Sequence, residues 1–328
     1  MRGIPVGVLI HPSQFPNAVR RDLLESLRTR RVNHKFHYDS FKQTQKWLAL
    51  HEAHSPARKD KDCLAIYDHA FKSAASRINA RRVHVVGLGC GGGQKDTQLL
   101  KLLKRPGRKL DYTPSDVSVA MTLVARETAL KIVPHADCHP VVCDLATADN
   151  LDAAFSTRIT RHAARILTFF GMIPNFEPQM ILPKLASLIR REDWLLFSAN
   201  LAPGFDYDAG MKRILPQYDN ALTRDWLMTF LHDLGVDEGD GRLLFSVEKG
   251  ALGLRRVVAR FHFHRRRNAD VDAQRFRFDA GDSIRLFFSY RYTAEQVKNV
   301  LARHGIGVME QWITTSDEEG VFLCRRTR

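Results

Sequence analysis

Short apolar runs alternate with helical stripes along much of the chain. Residues 13–80 carry three such stripes. The first is Val19, Leu23, Leu24 and Leu27; the second is Phe41, Trp47, Leu48 and Leu50; the third is Leu64, Ile66, Tyr67 and Phe71. Their spacing predicts an N-terminal helical part. Val83–Val86 follows, a β-branched run that fits a buried strand. Glycines come next, at Gly87, Gly89, Gly91, Gly92 and Gly93, and then Thr97, Leu99, Leu100, Leu102 and Leu103 recur at helical spacing. Leu110–Thr113, Val141–Cys143, Ile166–Phe170 and Trp194–Ala199 predict further strands, with a helix from Ser118.

Strand, glycine turn and helix form the first unit of a nucleotide-binding α/β sheet. The glycines fit two patterns. Gly87, Gly89 and Gly92 match the dinucleotide spacing G-x-G-x-x-G; Gly87, Gly89 and Gly91 match the G-x-G-x-G of S-adenosylmethionine (SAM) methyltransferases. Downstream segments separate the two. From Leu201 to Asp282 the alternation breaks, as an inserted lobe would make it. Ile284–Tyr292 then predicts a strand, and Thr293 with Gln296 opens a helix by a capping box. Two closing strands follow, in VMEQWITT and GVFLCRR. A final antiparallel hairpin ends a SAM-dependent sheet and not an NAD half-sheet. The expected fold is therefore α/β, a Rossmann-like seven-stranded sheet of the class I methyltransferase kind with an antiparallel closing strand and a smaller substrate lobe. Residues 1–80 are assigned to that lobe, 81–202 to the SAM-binding core, 203–283 to the inserted part of the lobe and 284–328 to the end of the core.

Asp111 and Asp116 are both candidates for an acid after the second strand, which would accept from a ribose diol. Asp144-Leu145 ends the third strand, placed to bond an adenine amine and pack on its ring. Asn175 sits in the turn after the fourth strand, where a carboxamide offers a donor and an acceptor to a substrate without ionising.

Composition narrows the class. The chain has 328 residues and a net charge of +14. Its basic residues clump at Arg28, Arg30 and Arg31, at Arg255 and Arg256, and at Arg265–Arg267. That balance suits an acidic substrate or nucleic acid, but no RNA-binding signature accompanies it. The five cysteines show no C-x-x-C pairing, which points to reduced thiols in a cytoplasm and away from zinc or a disulfide framework. His262 and His264 share a strand face without a third ligand, so no metal is expected. No apolar run reaches the roughly 18 residues of a membrane helix, and the first residues lack a cleavage site of the secretory kind.

Taken with these pieces, the sequence resembles the histidine-specific SAM-dependent methyltransferase family, which includes the ergothioneine-pathway histidine N-methyltransferase and a fungal dimethylallyltryptophan N-methyltransferase. The resemblance starts at Lys35–Asp39 and runs to the closing hairpin. It is carried by Gly87–Leu100, Ser115–Ser118, Asp144-Leu145, Phe169–Pro178 and Gln217–Asn220. It implies that Gly87, Gly89 and Gly91 form the turn under the methionine part of SAM and that Lys95 orders that turn. Asp116 becomes the ribose ligand, and Asp144 with Leu145 the adenine ligand. Asn175 and Tyr218 become the residues that hold the amino-acid substrate and its carboxylate.

Two departures bear on the substrate. Where histidine-methylating members have two tyrosines before proline-threonine-arginine, this chain has His54-Ser55-Pro56-Ala57-Arg58. Where they read the imidazole with glutamate-isoleucine-serine, it has Phe287-Phe288-Ser289. A phenyl ring in place of the carboxylate costs a buried imidazole its partner, on the order of 1–3 kcal/mol. The expected reaction is SAM-dependent N-methylation of an amino acid or amino-acid-derived small molecule other than histidine, with His54 a candidate base. An RNA or protein methyltransferase, and a non-catalytic SAM-binding relative, are the competing readings.

Overall fold

The structure is a computed structural model that describes residues 5–55, 59–156 and 163–327. Pro56, Ala57 and Arg58 of the first departing motif lie outside the described residues. In chain order the strands begin with β1 (Leu9–Ile10), β2 (Arg82–Leu88), β3 (Lys109–Asp116), β4 (Val141–Val142), β5 (Ala164–Phe169) and β6 (Trp194–Asn200). Then come β7 (Gly241–Lys249), β8 (Arg255–Phe263), β9 (Arg267–Val271), β10 (Gln274–Phe278) and β11 (Ser283–Arg291). The last are β12 (Ile306–Ile313) and β13 (Glu319–Arg326).

The central sheet has the order β1-β4-β3-β2-β5-β6-β13-β12. β13 runs antiparallel to both neighbours, and the other central pairings are parallel. The expected seven strands and antiparallel finish are present. An eighth, β1, adds to the edge by parallel pairing with β4. Two residues give no periodicity, so this strand had no signal in the sequence.

Side chains of the central strands alternate between two apolar layers, as period two requires. Val83 and Val85 of β2 join Phe71, Leu99 and Leu103 on one side. Val86 and Leu88 join Leu182, Leu185 and Leu301 on the other. Helix Lys61–Ser76 packs on this core through Ile66, Ala70, Phe71 and Ala74. It therefore packs on the central sheet, whereas the sequence pattern places residues 1–80 in the substrate lobe.

The lobe is built on a second sheet, β11-β8-β7, all antiparallel, with the β9–β10 hairpin beside it. β11 belongs here and not to the central sheet, so the core resumes at the Thr293-capped helix Ala294–Ala302. Alternation identifies a strand but not its partner. A bulge between Arg285 and Phe287 shifts the register. It lets Ile284, Leu286 and Phe287 all enter the lobe core, while Phe288 and Tyr290 join the sheet core on the other face. Helices Pro16–Thr29, Phe41–His54, Tyr207–Tyr218 and Ala221–His232 complete the lobe around Leu27, Phe36, Met211, Ile214, Trp226 and Phe230. Among the described residues, no helix is long and apolar enough to cross a membrane.

Candidate active site

The glycine turn leaves the C-terminal end of β2, the end of an open α/β sheet at which ligands bind. A Cβ at Gly87 would run into the Asp96 carboxylate. Asp96 is buried, accepts from the Tyr112 hydroxyl and from Thr168 Oγ1 at 2.7 Å each, and has its pKa raised by that burial. Gly87 therefore gives way to a buried acid that the sequence reading passed over. Gly89 carries the Met172 side chain against its bare Cα, which ties the turn to the loop after β5. Gly91 has φ +51°, a left-handed conformation that favours glycine, and lies under the Trp47 indole.

The Gly91 N–H donates to Asp116 Oδ2 at 3.1 Å, and the Ser118 N–H to Oδ1 at 3.0 Å. Asp116 thus stands at the end of β3 against the turn. Burial raises its pKa and the backbone donors oppose the rise. Asp111, the other candidate, is buried within β3 and paired with Arg82 at 2.6 Å, which removes it from the site.

Asp144 follows β4 and accepts from the Ala146 N–H at 2.9 Å and the Thr147 hydroxyl at 3.0 Å. Leu145 beside it is buried in the sheet core. Lys35 Nζ lies 3.6 Å from Asp144 Oδ2 and 2.5 Å from Asp22 Oδ2. The lysine that opens the family-like stretch therefore joins the first helix to the end of β4. Lys95 is half-buried in the first turn of the helix Gln94–Leu103 that follows the glycines. Its Nζ donates to the Tyr67 hydroxyl at 2.6 Å and lies 3.9 Å from that ring's centre. Burial lowers the Lys95 pKa, and Glu319 opposes the shift. Tyr67 donates onward to Glu319 at 2.5 Å and its hydroxyl lies 2.9 Å from Ser198 Oγ, which accepts from the Gly171 N–H at 2.9 Å, so the network ends at the loop that carries Asn175.

Asn175, Tyr218, Phe287 and Ser289 come from the post-β5 loop, the end of helix Tyr207–Tyr218 and β11, and the fold brings them together. Asn175 Nδ2 donates to the Phe288 carbonyl at 3.0 Å. The Tyr218 hydroxyl is 2.9 Å from Ser289 Oγ. Phe287 packs against His34, Trp226 and Tyr218, with ring centres 5.1, 5.8 and 6.2 Å away. Tyr38 and Trp47 extend this aromatic wall. His54 is not brought into the group; it is exposed at the last position of its helix.

Two further buried residues lie beside this group, Arg291 against Tyr218 and His37 against Trp226. Arg291 is buried, donates from Nε to the Tyr218 hydroxyl at 3.1 Å and from Nη1 to the Leu201 carbonyl at 3.0 Å. It follows Phe287 and Ser289 at period two, the signal that would have found it. His37 is buried, and its Nε2–H donates to the Leu286 carbonyl at 2.7 Å. Burial holds its pKa down at about 4 and that of His34 well below the usual value, so both rings are neutral at neutral pH.

The site fits a nucleotide cofactor by its glycine turn and by Asp116, whose carboxylate keeps lone pairs beyond the two that its backbone donors use. The N-methyltransferase imqF of Aspergillus flavus is 24% identical over 293 residues, which covers 83% of this chain and 74% of that protein. Among solved structures, the magnesium protoporphyrin IX methyltransferase ChlM from Synechocystis PCC 6803 with bound SAH is 12% identical, with a TM-score of 0.45 over 88% of this chain and 96% of that one. The Burkholderia thailandensis 1,6-didemethyltoxoflavin-N1-methyltransferase is 12% identical, with a TM-score of 0.41 over 99% and 93%. The family described as histidine-specific methyltransferase, SAM-dependent, matches residues 19–326. With nearly its whole length inside that match, the chain belongs to this family of SAM-dependent methyltransferases.

Proposed function

We propose that the chain methylates the amine nitrogen of an aromatic or apolar amino acid, or of a small molecule derived from one, in preference to histidine. The observation that carries this reading is Phe287. It occupies the position of the glutamate in the family's imidazole-reading motif and packs among Tyr218, Trp226 and His34. No carboxylate stands there to partner an imidazole, and an aromatic ring gains apolar contact instead. The relatedness to a fungal protein named as an N-methyltransferase supports nitrogen as the acceptor.

Gly87, Gly89, Gly91, Lys95, Asp116, Asp144 and Leu145 would hold SAM. When bound, it supplies a sulfonium methyl that an amine lone pair takes in a single in-line displacement. The chain's own residues place that amine. Asn175 and Tyr218 orient the substrate amine and carboxylate, and Ser289 and Phe287 shape the side-chain pocket. Burial beside the Arg291 guanidinium disfavours the ammonium form, which keeps the lone pair available.

Ion pairing in the basic clumps supports a small acceptor over a nucleic acid. Arg265 and Arg267 both pair with Asp240, Arg266 with Asp279, Arg255 with Asp208 and Arg256 with Glu177. Cys63, Cys90, Cys138, Cys143 and Cys324 are free thiols, which fits a reducing cytoplasm. The test is a mass-spectrometric screen with methyl-labelled SAM over amino acids, their decarboxylated amines and short RNA. Labelled aromatic amino acids, or amines derived from them, are expected. Label on RNA alone, or on histidine as readily as on any aromatic compound, contradicts the proposal.

A further inference from the structure

We propose that the face of the β7–β8–β11 sheet opposite Phe287 carries a binding site for a small oxyanion, held by Arg285 and Arg256 beside the Phe288 ring. Arg285 is 8% exposed. Its Nε is a buried donor without a partner, and its guanidinium makes no hydrogen bond or ion pair among the described residues. The group lies 4.8 Å from the centre of the Phe288 ring. Arg256 lies 5.3 Å from the same ring; its Nη1 holds Glu177 at 2.8 Å, but its Nε too is buried and unpartnered.

His34 supplies a third such position. Its ring centre is 4.6 Å from that of Phe288, and its Nε2 accepts from the Phe288 N–H at 3.4 Å. In a neutral imidazole the other nitrogen then carries the proton. That nitrogen, Nδ1, is buried without a partner. All three unpartnered atoms around Phe288 are therefore donors. What completes the set is an acceptor with several lone pairs.

The charges agree. Burial is the main cause that holds the Arg285 pKa down at about 10; Arg256, Arg31 and Arg260 add to it and Glu177 opposes it. The acids nearby are Glu177 and Glu248, and these are engaged by Arg256 at 2.8 Å and by Arg260 at 2.9 Å. Arg285 is left without a counter-ion of its own. Buried charges are otherwise paired, because desolvation without a partner is strongly unfavourable. A guanidinium matches phosphate or carboxylate oxygens by its planar fork of donors.

The experiment titrates the full chain with sodium phosphate, and separately with sodium acetate, against sodium chloride at matched ionic strength. It reads the melting temperature and the heat of binding, for the wild type and for Arg285→Met, which keeps the length and apolar stem. A saturable response in the wild type is expected, weakened about tenfold or more in the variant. A tighter phosphate response assigns a phosphate group, and a tighter acetate response a carboxylate. Should Arg285→Met not fold, Arg256→Lys is read in the same way. No saturable response to either anion, or one undiminished in the variant that folds, overturns the proposal.

Discussion

Arg291 Nε donates to the Tyr218 phenol oxygen at 3.1 Å, so the phenol's own proton points elsewhere. Ser289 Oγ, 2.9 Å away, is the partner available to it in the structure. A substrate carboxylate would take that proton and lie beside a guanidinium whose other partners are backbone carbonyls. Arg291→Gln is expected to raise KM for an α-amino acid roughly ten- to a hundredfold, in line with a charged hydrogen bond. The decarboxylated amine should be nearly unaffected. An equal loss on both substrates, measured by steady-state kinetics, would place Arg291 in a purely structural role.

Lys35 stands between two carboxylates, Asp22 and Asp144, and all three side chains are almost wholly buried. Removing the cation leaves two buried acids without it. Lys35→Met should destabilise the fold by about 3–5 kcal/mol, the cost of an uncompensated buried charge. Urea unfolding monitored by fluorescence checks this. A change within about 0.5 kcal/mol, as at an ordinary surface position, would refute it.

Gly87→Ala tests the packing under the glycine turn. The added methyl meets the Asp96 carboxylate, which its bonds from Tyr112 and Thr168 hold in place. A loss of about 1–3 kcal/mol is expected, as for other overpacked sites. Calorimetric SAM affinity should fall with it. Unchanged stability and affinity would mean that Asp96 moves aside freely.

His37 gives the fold a pH dependence of definite sign. Its pKa is about 4 in the folded chain and 6.5 for an ordinary histidine, with burial the main cause. The unfolded chain therefore binds more protons between these values. Stability from this group is complete above pH 6.5 and is lost as pH falls toward 4, on the order of 2–3 kcal/mol. Asp96 and Asp116, whose pKa values burial raises, act in the opposite sense. The measurement is therefore the difference in melting temperature between wild type and His37→Phe across that range. The wild type should lose ground to the variant as pH falls; a constant difference would contradict the assignment.

Several parts of the architecture were legible because they repeat locally. Val83–Val86 with its glycines, and the continuous apolar runs of β5, β6 and β13, each report burial within a few residues. Membership of a sheet is not local. The Phe287–Ser289 strand read correctly as a strand, yet its pairing with β8 depends on a bulge and on residues more than twenty positions away. The choice between Asp111 and Asp116 turned on a cross-strand partner, Arg82, that spacing does not reveal. The Lys35–Asp144 contact spans over a hundred residues, and nothing near Lys35 announces it. His54 was chosen by position in a motif, and the end of its helix leaves it exposed, outside the group that Asn175 and Tyr218 join.

The most direct measurement is the ratio of kcat/KM for an aromatic amine substrate to that for histidine, in the wild type and in Phe287→Glu. The account predicts a ratio well above one in the wild type and a shift toward histidine of about tenfold or more in the variant, since a buried carboxylate restores the imidazole's partner. A wild type that prefers histidine, or a ratio that Phe287→Glu leaves unmoved, would contradict it.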